Sequence, residues 1–262
     1  MQDLMKYELL RRKNLLIGAA LAMVLAESVI LYGISRGGDW NVLSGVLTIV
    51  LCVGALLLPL LDTVAHFYSD FKQKHGFMLF MTPQSGYSIV WSKVLFGVAE
   101  LAAVVLLLLG CLYLSFSAAN GFNSVLLTDF VEEMRRGLGA GGSSAMQLLF
   151  SFVGMVGLQL SAQISVAVLA LCVTRVIMPR NSYHWVVALL MYFALMFGLD
   201  LLNSGVMLMF GFYGDIMHSV QNPNIIMEML GKYFVISAVT YFVWFIGCSL
   251  FSGFLVNKNL DL

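Results

Sequence analysis

The sequence predicts an all-α integral membrane protein with six transmembrane helices, and three observations carry that prediction. Apolar residues make up 60% of the chain and charged residues 11%, against roughly a quarter charged in a soluble domain. Mean hydropathy is +0.92. The apolar residues are also gathered into six runs of the length, about 18 residues or more, at which a helix crosses the hydrocarbon core. What remains of the 262 residues is loops of about 30 residues at most, so no soluble catalytic domain is expected.

Taken in order, residues 1–13 mix Leu4, Met5, Tyr7, Leu9 and Leu10 with charges and predict a short helix lying in the membrane interface. The first span is 14–34. A signal peptide cleaved after Ala20-Leu21-Ala22 is the competing reading of this start, but the apolar run continues past that site, so an anchor that stays is expected. The second span is 42–61, the third 87–116, the fourth 145–174, the fifth 183–202 and the sixth 233–256. Between the third and fourth, TDFVEEMRRGLGAGGSS predicts a short amphipathic helix and a Gly/Ser joint. Residues 203–230 are apolar but interrupted by Gly205, Gly211, Gly214 and Pro223, which predicts an external or re-entrant segment.

Lysine and arginine set the orientation. One side holds ten: Lys6, Arg11, Arg12, Lys13, Lys72, Lys74, Lys93, Arg175, Arg180 and Lys258. The other holds Arg36, Arg135, Arg136 and Lys232. The richer side is cytoplasmic, which places both termini and residues 62–86 in the cytoplasm. A net charge of zero argues against a nucleic-acid binder.

No catalytic or metal constellation emerges. Cys52, Cys111, Cys172 and Cys248 lie in apolar runs without C-x-x-C spacing and read as packing residues. His66, His75, His184 and His218 show no HExxH spacing. The EExxxR pattern of intramembrane CAAX-type proteases fails at Glu132-Glu133, because position 137 is Gly137. Gly33 and Gly37 form a GxxxG at a membrane edge, weak as a dimer signal.

The segment 62–86 is the odd one. On a helix continuing from span two, Asp62, His66, Asp70 and Lys74 share a face, which reads as solvated rather than metal-binding, with Phe67 and Phe71 beside it. Gly76 breaks the pattern, Phe77, Met78, Leu79, Phe80 and Met81 are too few to span, and Thr82-Pro83 followed by Gln84-Ser85-Gly86 turns the chain. Two readings stay open for this FMLFM knot: docking onto a partner, or folding back against headgroups or under the bundle.

The start LMKYE, the six spans and the loop ending FMLFMTPQSGYSIVWSK resemble the permease subunits of type-two ABC exporters. The resemblance covers the chain in topology, and in motif only the stretch leading into span three. It implies that Lys72, Lys74, His75, Phe77, Met78, Leu79, Phe80, Met81 and Pro83 form a coupling helix seated on a separate cytoplasmic ATPase, with a lesser contact at 175–182. It also implies a second permease subunit (the same chain or a sibling), an external cap over 203–230 and a bacterial plasma membrane. ATP and Mg would belong to the partner, with no cofactor on this chain and no enzymatic activity of its own. The nearest phosphate-cradle match, Gly231-Lys232, is followed by Tyr233 and has Ile226 where the first glycine is required.

Glu27 and Glu100 fall within spans, and Asp200 lies toward the outer end of span five. Gln159 and Gln163 share a face of span four with Ser151. Carboxylates in hydrocarbon cost several kcal/mol, so each should face protein or water. For Glu27 and Glu100 a translocation route and a structural role stay equally open, whereas interhelical hydrogen bonding is the favoured reading of the glutamines. The alternative function is an ion- or proton-coupled secondary transporter or channel using Glu27 and Glu100. A non-transporting membrane scaffold is a third reading. The expected cargo is a peptide, lipid or amphipathic drug.

Overall fold

The computed structural model describes residues 2–72, 85–119, 143–177, 184–210 and 223–260. Among them are six helices: α1 (Gln2–Arg36), α2 (Asp39–Lys72), α3 (Gly86–Ala119), α4 (Ser143–Ile177), α5 (His184–Met209) and α6 (Pro223–Leu260). Each holds a stretch long and apolar enough to cross a membrane, so the chain is a multi-pass membrane protein, all-α among the described residues. In hydrocarbon a helix satisfies every backbone donor and acceptor within its own segment, where an unsatisfied group costs several kcal/mol.

The helices outrun the apolar stretches. Residues 2–13 are continuous with the first span, where a separate interfacial helix was expected. α2 runs on through residues 62–72 of the predicted loop. At the other end, 203–209 complete α5 and 223–230 begin α6, which shortens the predicted re-entrant segment. Gly205 and Pro223 interrupt nothing: the glycine stays helical because its backbone bonds are kept, and the proline sits at the first turn, where no N–H is needed. Residues 120–142, 178–183 and 211–222, with most of the third-to-fourth loop and the middle of the expected cap, lie outside the described residues.

The chain divides into two compact units. Unit 1 comprises 1–62 and 96–137, and so holds α1, α2 as far as Asp62 and α3 from Phe96. Its core gathers Met23, Ala55, Val104 and Leu108. The α1–α2 hairpin turns on Gly37 and Gly38, at φ 69° and 62°, a conformation glycine adopts without the Cβ penalty. The Gly37 amide donates to the Gly33 carbonyl (3.3 Å), closing α1 in the manner of a helix C-cap. Gly33 also lets the helices meet: a Cβ there would stand 3.2 Å from the Ser44 Cβ. Within this chain, both glycines of the GxxxG are therefore used by the hairpin.

Unit 2 comprises 63–95 and 138–262. α4 packs chiefly along α6 and secondarily against α5. Lipid is as apolar as leucine, so close packing rather than water exclusion must hold these helices together, and small residues permit it. On α4, Ala162, Ser165 and Ala170 are buried, and on α6 Cys248, Ser249 and Ser252. The Ser249 and Ser165 hydroxyls meet at 3.1 Å. Cys172 and Cys248 are buried, and all four cysteines are free thiols.

Candidate functional site

Of the predicted coupling residues, Lys72 is the last residue of α2. Lys74, His75, Phe77, Met78, Leu79, Phe80, Met81 and Pro83 lie outside the described residues. What the structure places are the two flanks of that segment, both in unit 2. Phe67, on the last turns of α2, is buried with Val90 and Val94 of α3, Val168 and Leu171 of α4, and Val256 of α6 in one core. Lys93 of α3, fully buried, sets its Nζ 5.7 Å from the centre of the Phe67 ring.

The returning flank is held as closely. Ser85 caps α3, its Oγ accepting from the Ser88 amide at 3.3 Å. The Gly86 amide donates to Asn257 Oδ1 at 3.4 Å. A Cβ on Gly86 would stand 2.6 Å from the Asn257 backbone nitrogen, so only glycine fits this approach of α3 to α6. Tyr87 fills the space above Gly253 in the same way. Both ends of 73–84 thus enter a single packed body.

The intramembrane polar residues separate into different places. In unit 1, Glu27 accepts a 2.6 Å hydrogen bond from Ser115 Oγ. Glu100 sits elsewhere, beside Arg12. Fifteen residues of α1 part Glu27 from Arg12, about 22 Å of helix, so the two glutamates do not form one site. In unit 2, Gln159 and Gln163 are half-buried on α4, as is Ser151, while Asp200 is exposed on α5.

Arg12 is the centre of an ionic cluster that the charge pattern conceals. Its Nε donates to Glu8 Oε2 at 3.1 Å and its Nη1 to Asp62 Oδ2 at 2.7 Å, with Glu100 Oε2 at 3.8 Å. The guanidinium carbon lies 4.9 Å from the Phe96 ring centre, which covers one face of the cation. Arg12 is completely buried, and Glu8, Asp62 and Glu100 nearly so. Asp62 therefore does not belong to a solvated face. The legible signal was the Glu8–Arg12 spacing of four on one helix; the partners from α2 and α3 are long-range and leave no mark in sequence.

Unit 1 also carries an apolar groove of about 370 Å³ between α1 and α2, lined by Ala19, Ala22, Ala26, Gly54, Ala55 and Leu58. No charged side chain lines it, so nothing there would orient a polar ligand.

No family model matches the chain, and comparison with curated proteins and with solved structures found no match.

Proposed function

We propose that this chain is the membrane-spanning permease subunit of an ATP-driven exporter of the type-two ABC class. Its termini and the 62–86 segment face the cytoplasm of a bacterial cell, across the plasma membrane. A second permease subunit completes the translocation route, and a separate cytoplasmic ATPase binds ATP with Mg and does the hydrolysis. The cargo is a peptide, lipid or amphipathic drug.

The supporting observation is mechanical. The FMLFM segment leaves from Phe67 and returns at Gly86, and both flanks are packed into one core with α4 and α6. A push on a loop tethered this way moves the body it is packed into, which is what rigid-body switching between inward- and outward-open states requires. Glu27 and Glu100, held by different partners, give the ion-coupled alternative no joint site.

The test is co-purification in mild detergent from the native membrane. A stoichiometric soluble ATPase carrying a Walker motif, retained by the wild-type chain and lost from Phe77→Asp or Phe80→Asp, is the expected result. An ATPase still bound by both variants defeats the coupling assignment, and a chain that purifies alone defeats the exporter reading.

A further inference from the structure

At the hairpin end of α1, above the apolar groove of unit 1, stands a cation that the proposed function does not use. Arg36 is exposed, yet its side chain is held in place. Its Nε donates to the Tyr32 hydroxyl at 3.0 Å, and its guanidinium carbon lies 5.3 Å from the centre of the same ring. Trp40, near the start of α2, meets Tyr32 edge-on with 6.5 Å between ring centres. Half-exposed Tyr and Trp of this kind mark the headgroup level of a bilayer. A guanidinium fixed on such an aromatic shelf keeps the Nη groups of its fork for an anion, and phosphate is an anion whose geometry that fork matches.

The groove continues the line on which Arg36 stands. Ala22, Val29 and Arg36 follow one another at seven-residue spacing, just under two turns, so they lie nearly in line along α1. Ala22 and Val29 line the groove, with Ala26 between them and Val50 and Gly54 facing from α2. The two helices are joined at one end, where Gly33 meets Ser44, and at the other, where Arg12 bonds Asp62. Between these clamps the small side chains leave the space open. From Arg36 to Ala22 is about 21 Å of helix, half of a bilayer of about 40–45 Å counted to its headgroups. A phospholipid joins a phosphate to an apolar chain over that distance. We propose that Arg36 and the α1–α2 groove form one binding site for a glycerophospholipid of that leaflet, with its phosphate on Arg36 and one acyl chain along Val29, Ala26 and Ala22. The inference stands apart from the exporter reading, since it rests on unit 1 and the bilayer alone.

Native mass spectrometry of the purified full chain, delipidated and titrated with palmitoyl-oleoyl phosphatidylglycerol, reads the site as one lipid retained per chain. Diacylglycerol with the same acyl chains tests the phosphate: the phospholipid should be retained and the diacylglycerol not. Arg36→Gln, at an exposed position, should weaken retention about tenfold or more, the worth of a hydrogen bond to a charged group. Gly54→Leu fills the groove, because a Cβ there meets nothing within 4 Å, and should also lower retention. Gly110→Leu, which enters equally open space on α3 outside the groove, should leave retention unchanged. Retention that survives Arg36→Gln or Gly54→Leu, or that falls equally in Gly110→Leu, overturns the proposal. So does a wild-type chain that binds diacylglycerol as tightly, or one that runs as a dimer split by Gly54→Leu, which would make a second copy the occupant of the groove.

Discussion

Arg12 illustrates how one side chain can be indispensable without being strongly stabilising. A buried ion pair forfeits most of its Coulomb energy to desolvation, yet removing one member leaves the others uncompensated at a cost of about 3–5 kcal/mol. Arg12→Met should therefore destabilise the protein by about that amount, read by thermal or denaturant unfolding in detergent. Neutralising the partners as well, with Glu8→Gln, Asp62→Asn and Glu100→Gln added to Arg12→Met, should restore most of the loss. If the fourfold variant is no more stable than Arg12→Met, the loss comes from the stacking on Phe96 and not from charge. Glu27 is a milder case. Glu27→Gln keeps an oxygen for the Ser115 hydroxyl and should change stability by less than about 1 kcal/mol.

At the scale of elements, glycines separate positions the chain needs from positions it tolerates. Gly37 has φ 69°, so Gly37→Ala should cost about 1–2 kcal/mol in the same unfolding assay. Gly18 lies in the interior of α1 with open space around it, and Gly18→Ala should be neutral or stabilising by up to about 1 kcal/mol. Equal losses at both positions would mean that the turn conformation is not what Gly37 supplies. The six spans were legible because 18-residue apolar runs have almost no other outcome in a chain this poor in charge. Their ends were not, and the reason is specific. The first predicted span begins at Asn14 and the second stops at Leu61, beside Arg12 and Asp62, which bind each other at 2.7 Å. Read along the sequence, each is a charge that ends a hydrophobic run; paired across two helices, they let both helices continue. Gly205 misled in a similar way, since its helix-breaking cost in water is much reduced where no solvent competes for the backbone. Of the candidate site, Glu100 was singled out from its place in a span, whereas its partners required the fold.

At the scale of the whole molecule, the proposed exporter function would make docking of an ATPase and transmission of its movement separable properties, and the flanks of 73–84 are where they could be separated. On that proposal, charges placed in the FMLFM knot would attack the contact itself, so Phe80→Asp should abolish association. Gly86 lies beyond the knot, where α3 meets α6 with a backbone nitrogen 2.6 Å from the position a Cβ would take. Gly86→Ala cannot be absorbed by a side-chain rotation, because the atom in the way is backbone; α3 or α6 must move. That variant should still retain the ATPase while losing most of the transport that hydrolysis drives, since the flank no longer carries the push into the core of Phe67, Val90 and Val256. Reconstituting the complex in vesicles and measuring ATPase association, hydrolysis and flux together checks this. Wild-type flux in Gly86→Ala would mean that the packed flank is structural and that movement enters the membrane by another loop, whereas loss of association would place Gly86 within the docking surface.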